Sequence, residues 1–116
     1  MTKMFGIPNC DTIKKAKSWL QKNNISFDFH DYKKLGVDET VLHDAIDNFG
    51  LELVLNKRGT TYRKLSDETK ASINSDNVVG LLTEHPSMIK RPILLHNKKL
   101  IIGFNDSIYQ EFFGLE

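Results

Sequence analysis

The order of strand and helix patterns constrains the fold of this 116-residue chain more than any other feature. A short strand is predicted over 3–7, and a helix follows from Thr12, where apolar residues recur at three- and four-residue spacing. Asp11 or Thr12 is expected to cap this helix. Apolar and polar residues alternate over 25–30, which indicates a second strand. Two strands joined by such a helix are expected to lie parallel, with a right-handed crossover.

The middle of the chain has a helical pattern instead. Asp38 and Ser66 are predicted to cap helix N-termini, and Gly50 is a natural C-terminal stop. Residues 51–55 are apolar and fit either a helix or a strand. Residues 56–64 are polar and basic with a central glycine, and they are predicted to form a loop.

Strand patterns return towards the C-terminus. A helix is predicted to end at Pro86, and residues 93–95 and 100–102 are predicted to pair as a hairpin around Asn97. A final helix is predicted over 107–113. The sequence therefore predicts an α/β fold with the order β-α-β, helical insertion, β-β-α, in a mixed sheet.

Composition limits the classes of function. The length fits one domain spanning 1–116, with the helical insertion at about 38–86. A net charge of +1 gives no overall field for nucleic acid or an anionic membrane. The sequence shows no charged-then-apolar leader and no apolar run of about 20 residues, so a cytoplasmic location is expected.

The single cysteine, Cys10, lies between the first strand and the first helix. Lone cysteines are usually small buried hydrophobic residues. At this position, however, free N–H groups and the positive end of the helix dipole favour a thiolate, and Lys14 and Lys15 add positive charge. Since the thiolate is the nucleophilic form, the position predicts a reactive cysteine.

Cys10 has no second cysteine with which to form an internal disulfide. At the position where a C-x-x-C motif would have that cysteine, the sequence has Ile13. A reductant with one cysteine passes its oxidised state to an external thiol, and glutathione is the obvious cytosolic candidate. The four histidines lack the spacing of metal ligands, so no metal is expected. The sequence also has no phosphate-binding glycine loop, and no bound cofactor is expected.

Three ordered motifs identify a family resemblance that covers nearly the whole chain. PNCDT follows the first strand, NKRGTTYRKL lies in the middle, and HPSMIKRPIL precedes the last hairpin. Together they resemble the arsenate reductase-related family, which includes glutaredoxin-coupled arsenate reductases, Spx regulators and YffB proteins, with the greatest likeness to the YffB branch. The resemblance implies a thioredoxin-like fold with a helical insertion.

The resemblance also implies roles for individual residues. Cys10 matches the nucleophilic cysteine, with Asn9 and Thr12 shaping an anion-binding loop beside it. Arg91 matches an arginine that holds the oxyanion in arsenate reductases, and Pro92 matches a cis-proline that packs against the cysteine.

Two further basic positions of the family are less well matched. Either Lys57 or Arg58 fills the second one, and Lys14 is a further candidate for anion binding. Where arsenate reductases carry a third arginine, this chain has Gly103 and Phe104. Because arginine binds a tetrahedral oxyanion through two parallel hydrogen bonds, the loss predicts poor arsenate reduction.

The sequence therefore predicts a monomeric thiol oxidoreductase, in which Cys10 forms a mixed disulfide that glutathione or a glutaredoxin-type thiol donor resolves. Its substrate is expected to be a small oxidised thiol or an oxyanion. One alternative is a non-enzymatic, Spx-like regulator that binds RNA polymerase, although Ile13 breaks the C-x-x-C switch of that branch. Weak arsenate reduction is a third hypothesis.

Overall fold

The two ends of the sequence fold together in the computed structural model, which describes residues 2–115. One compact unit contains the residues up to Asp31 and those from Arg91 onwards, and a second unit is the continuous segment Tyr32–Lys90. This second segment extends beyond the helical insertion predicted at 38–86 on both sides. Folding of the whole chain as a single domain stays a prediction.

The first unit is a four-stranded mixed sheet with two helices. Its elements are β1 (Thr2–Gly6), α1 (Asp11–Lys22), β2 (Asp28–Asp31), β3 (Ile93–His96), β4 (Lys99–Ile102) and α8 (Asp106–Phe112). The strand order is β2-β1-β3-β4. β1 and β2 run parallel, whereas β1–β3 and β3–β4 are antiparallel pairs. The predicted parallel β-α-β opening and the closing hairpin are both confirmed.

The core of the first unit forms where the sheet meets its helices. Its buried members are Met4, Ile13, Ala16, Trp19, Leu20, Leu94 and Tyr109. The Trp19 ring packs edge-on against Tyr109 at 5.3 Å between centroids, and its Nε1–H donates to Asp106 Oδ1 at 3.1 Å. These contacts fix α8 to α1 through both apolar and polar groups.

The second unit is mainly helical. Its elements are α2 (Tyr32–Leu35), α3 (Glu39–Phe49), α4 (Leu51–Val54), α5 (Thr60–Arg63), α6 (Asp67–Ser72), α7 (Val78–Glu84) and a 3₁₀ helix (Pro86–Met88). The predicted caps are confirmed, because Asp38 accepts a hydrogen bond from the Val41 N–H and Ser66 accepts one from the Thr69 N–H. Gly50 ends α3 in a left-handed conformation, with φ of 85°.

One predicted loop in this unit is partly helical. The prediction of a loop over 56–64 is wrong for the turn of helix at Thr60–Arg63. The hydroxyl groups of Thr61 and Ser87 are hydrogen-bonded at 2.8 Å, so a partner distant in sequence holds this turn. The ambiguous segment 51–55 is helical until Leu55, which forms an isolated β-bridge with Ile89.

The second strand is shorter than predicted. It begins at Asp28 rather than at residue 25. Asn24 has a left-handed φ of 57°, and the Ile25 N–H donates to the Leu20 carbonyl at 2.9 Å. The Ile25 N–H therefore caps the C-terminal end of α1 instead of pairing in the sheet. The alternation of apolar and polar side chains does not reveal this hydrogen bond.

Candidate thiol site

Cys10 is the N-cap residue of α1. Its backbone is extended, with φ of −140° and ψ of 126°, and its carbonyl accepts the Lys14 N–H at 3.0 Å. The predicted cap at Asp11 or Thr12 is wrong, since both residues lie inside the helix. Their polar side chains made them better cap candidates by residue type than a cysteine.

Opposing effects act on the Cys10 thiol. Burial of the half-exposed side chain raises its pKa, because desolvation disfavours the charged form. Three groups lower the pKa and so oppose the effect of burial. The largest of these contributions comes from the backbone N–H of Ile13, the next from the Arg91 side chain, as a hydrogen-bond donor and a positive charge, and the smallest from the N–H of Thr12. The net effect lowers the Cys10 pKa below its ordinary value.

The two N–H groups belong to the first turn of α1, where backbone donors have no partner within the helix. The neutral sulfur makes no capping hydrogen bond of normal geometry. The N–H groups of Ile13 and Thr12 are therefore weaker donors to Cys10, but they still favour its charged form. The predicted activation by the helix N-terminus agrees with this arrangement.

The sheet register explains why Arg91 reaches the thiol. Phe5, near the end of β1, pairs with Ile93, the first residue of the antiparallel strand β3. The residues just after β1 and just before β3 therefore emerge at the same edge of the sheet. Cys10 follows the first of these strand ends and Arg91 precedes the second. The Arg91–Pro92 peptide bond is cis, as the family resemblance implies, and Pro92 is buried.

The other predicted anion-binding residues differ in their positions. Asn9 and the Lys14 side chain are exposed, and Lys14 is absent from the groups that shift the Cys10 pKa. Lys57 and Arg58 belong to the second unit and are both exposed. Lys57 forms an ion pair with Glu52 at 2.7 Å. Roles for these residues in substrate binding stay predictions.

Two residues linked by hydrogen bonds to the Arg91–Pro92 segment were not predicted as site residues from the sequence. The Gly103 N–H donates to the Pro92 carbonyl at 2.8 Å, and the Tyr109 hydroxyl donates to the Gly103 carbonyl at 2.9 Å. A glycine directly after a strand was the available signal for Gly103. Tyr109 gave no signal beyond its apolar position on a helix.

Residues 2–115 contain neither a cluster of metal ligands nor a helix that could span a membrane. No group of three or more histidine, cysteine, aspartate or glutamate side chains in this range is arranged to hold a metal ion. None of the helices described is both long and apolar enough to cross a bilayer.

Arg91→Met is expected to raise the Cys10 pKa, because it removes a donor and a positive charge while burial continues to disfavour the thiolate. Since only the thiolate reacts, alkylation by iodoacetamide at neutral pH should slow on the order of tenfold. The rate–pH curve should shift to higher pH and reach its plateau later. Lys14→Met, which removes an exposed charge nearby, is the matched control. An equal slowing in both variants would contradict a specific role for Arg91.

Comparison with known proteins gives a consistent set of relatives. The family model of the ArsC family matches residues 5–112. An uncharacterized protein of Haemophilus influenzae is 43% identical over 114 residues, which cover 98% of this chain and 100% of the relative. The global transcriptional regulator Spx of Streptococcus agalactiae is 28% identical over 114 residues, which cover 97% of this chain and 82% of the regulator.

A solved structure is similar to this chain over nearly its full length. A YffB protein superposes with a TM-score of 0.91 at 39% sequence identity, and the match covers 96% of this chain and 97% of that chain. The expected α/β, thioredoxin-like fold is confirmed by this superposition together with the mixed sheet order β2-β1-β3-β4.

Proposed function

This chain belongs to the ArsC family, and we propose that within that family it is a thiol oxidoreductase in which Cys10 alone carries the redox chemistry. Glutathione, or a glutaredoxin-type protein, is the external thiol in this proposal. No bound cofactor takes part. The proposed setting is the cytoplasm, where a pool of reduced thiols keeps the enzyme turning over, and the proposed active form is a monomer.

The observation that carries the proposal is the position of Cys10 at the N-cap of α1, where neighbouring donors and a positive charge lower its pKa despite partial burial. A structural cysteine in apolar surroundings has a raised pKa and reacts slowly. Here the N–H groups of Thr12 and Ile13 together with Arg91 outweigh the effect of burial. Such an arrangement is expected where a thiolate serves as nucleophile.

The proposed reaction is two successive thiol–disulfide exchanges. The Cys10 thiolate attacks the glutathione sulfur of a mixed disulfide R–S–S–G, a bond forms between the two sulfurs, and RS⁻ leaves with the electron pair and takes a proton from water. A second glutathione thiolate then attacks the glutathione sulfur bound to Cys10. Glutathione disulfide forms and the Cys10 thiolate is released. In sum, R–S–S–G and glutathione give RSH and glutathione disulfide.

Anion recognition is the second part of the proposal. Arg91 binds a carboxylate of the glutathione moiety while remaining beside the sulfur, since its guanidinium has five donors. Asn9 and Thr12 at the turn, Lys14, and either Lys57 or Arg58 are further proposed anion contacts, and Pro92 packs beside the substrate. A carboxylate needs fewer fixed arginines than an arsenate oxyanion, which favours a thiol substrate.

A second candidate function is regulation rather than catalysis. The relatives that are global transcriptional regulators support it, since they match 97% of this chain. In this reading the protein binds RNA polymerase without thiol turnover. Ile13 stands where a C-x-x-C switch needs its second cysteine, so any such binding is expected to be independent of an internal disulfide.

The deciding measurement is the turnover of a glutathione mixed disulfide, such as that of cysteine, by the purified protein. The glutathione disulfide that forms is monitored through its reduction by glutathione reductase. We expect saturable turnover and a mass increase of one glutathione on Cys10 when the second glutathione is withheld. Arsenate replaces the disulfide in a parallel assay, where a rate near background is expected. Absence of turnover with glutathione and with glutaredoxin, together with direct binding to RNA polymerase, would favour the regulator.

A further inference from the structure

Two hydrogen bonds connect α8 to Pro92, the neighbour in sequence of Arg91. The Tyr109 hydroxyl donates to the Gly103 carbonyl at 2.9 Å, and the Gly103 N–H donates to the Pro92 carbonyl at 2.8 Å. Pro92 directly follows Arg91, whose side chain lowers the pKa of the Cys10 thiol. All five residues belong to the first unit.

Tyr109, the donor of the first of these hydrogen bonds, is buried among aromatic rings. Its side chain is 1% exposed, and its ring packs edge-on against Trp19 at 5.3 Å and against Phe104 at 4.9 Å. Burial raises the pKa of Tyr109 well above its ordinary value. The hydroxyl therefore keeps its proton and remains a donor over the pH range in which a thiol titrates.

Gly103 links the two hydrogen bonds. It is buried and has a left-handed φ of 82°, which a residue with a Cβ adopts only with strain. Its N–H and its carbonyl are both engaged, the first by Pro92 and the second by Tyr109. A buried carbonyl that loses its donor is destabilised, so the Gly103–Phe104 peptide group is expected to move if the Tyr109 hydroxyl is removed. Such a movement also displaces the Gly103 Cα, and with it the adjoining peptide group whose N–H donates to Pro92.

We propose that Tyr109 is a positioning residue for the thiol site: its hydroxyl fixes Gly103, which holds the Pro92 carbonyl and thereby the backbone from which Arg91 reaches Cys10. Tyr109 does not touch the sulfur and acts only through the intervening backbone. The inference rests on the proposed function, because the reactivity of Cys10 has a purpose only in a thiol enzyme. It extends that function to a residue on α8.

In this proposal, Gly103 and Phe104 have a different role from the third arginine that arsenate reductases carry at this position. Instead of a side chain that binds an oxyanion, the backbone of Gly103 supports the arginine that remains. Phe104 contributes by packing against the Tyr109 ring.

The test is the alkylation rate of Cys10 as a function of pH in Tyr109→Phe, without any substrate. The variant keeps the ring and removes only the hydroxyl. We expect the Cys10 pKa to rise above that of the unchanged protein, and alkylation at pH 7 to slow on the order of threefold. A merely structural contact would lower stability without moving the rate–pH curve.

Thr2→Val is the matched control, because it also removes a buried hydroxyl from the first unit. The Thr2 Oγ1 is hydrogen-bonded to His96 Nδ1 at 2.7 Å, and Thr2 lies at the opposite end of β1 from the thiol. We expect loss of stability with an unchanged Cys10 pKa. If Tyr109→Phe behaves like Thr2→Val in both respects, the proposal is overturned.

Gly103→Ala disturbs the backbone at the residue that joins the two hydrogen bonds, and it decides the question if Tyr109→Phe does not fold. The left-handed φ of Gly103 makes alanine strained there, and the same rise in the Cys10 pKa is expected. An unchanged rate–pH curve in a folded Gly103→Ala protein contradicts the proposal. Failure of the proposed function is distinguishable, because turnover would then be absent from the unchanged protein whatever these alkylation curves show.

Discussion

Cys10→Ser is expected to abolish disulfide turnover while leaving the protein as stable as before, or more stable. Serine has no sulfur to form the mixed disulfide, so the rate should fall at least about a thousandfold. Cys10 is also the N-cap of α1, where its sulfur makes no normal capping bond. A serine hydroxyl is a preferred N-cap and should add up to about 1 kcal/mol of stability.

The two effects are measured together, as turnover with a glutathione mixed disulfide and as the free energy of unfolding in urea. Cys10→Ala is the control, since it also lacks the sulfur but offers no capping oxygen. We expect both variants to be inactive and Cys10→Ser to be the more stable of the two. Residual turnover above a tenth of the starting rate in either variant would rule out Cys10 as the nucleophile of this reaction.

The elements that sequence could predict are those with a local cause. The helix caps at Asp38 and Ser66 and the helix end at Gly50 depend on hydrogen bonds and a backbone conformation within a few residues. The β-α-β order likewise follows from side-chain periods and from the length of the connection. In each case the deciding interaction lies inside the window in which the pattern was observed.

Elements with a distant cause were missed, or were left open between helix and strand. The turn Thr60–Arg63 has a hydroxyl contact to Ser87, and Leu55 is drawn into a bridge with Ile89. The local sequence of 56–64, rich in polar and basic residues, carries no trace of these partners. Propensity is a weak guide where tertiary contacts decide the backbone.

The candidate site also has one part with a local cause, which the sequence predicts, and other parts that depend on residues distant in sequence. The position of Cys10 before a helix was visible in the sequence, because strand and helix patterns meet there. The approach of Arg91 depends on the register of β1 against β3, and it entered the sequence interpretation only through family resemblance. The hydrogen bond from Tyr109 to Gly103 depends on the packing of α8, which no short motif encodes.

Packing also explains the role of Ile13, which stands where a C-x-x-C motif would have its second cysteine. Ile13 is fully buried in the core of the first unit, and its N–H acts on the Cys10 sulfur. A Cβ added at Gly6, the last residue of β1, would lie 2.5 Å from Ile13 Cδ1. The isoleucine therefore fills the space that the glycine leaves, and a smaller residue at position 13 would leave a cavity.

This close contact predicts a non-additive pair of substitutions. Gly6→Ala is expected to cost about 1–3 kcal/mol, because Ile13 is enclosed by core residues and cannot move freely. Ile13→Val removes Cδ1 and should cost about 0.5–1.5 kcal/mol by itself. In the double variant the nearest remaining atom is Cγ1, at 3.3 Å from the added Cβ. Its destabilisation should be smaller than the sum of the two single effects by more than about 0.5 kcal/mol.

Urea unfolding of the four proteins gives this coupling energy, and Gly59→Ala shows the cost of a methyl group that meets no clash. A Cβ at Gly59 would lie 3.5 Å from Asn56 Nδ2, an ordinary contact, and the φ of −77° suits alanine. That control should be close to neutral, because the smaller entropy of the unfolded chain offsets the poorer N-cap that alanine makes at this position of α5. Additive effects of Gly6→Ala and Ile13→Val would mean that the Gly6–Ile13 contact does not limit the packing between β1 and α1. A positive coupling would tie the same isoleucine both to the core and, through its N–H, to the thiol.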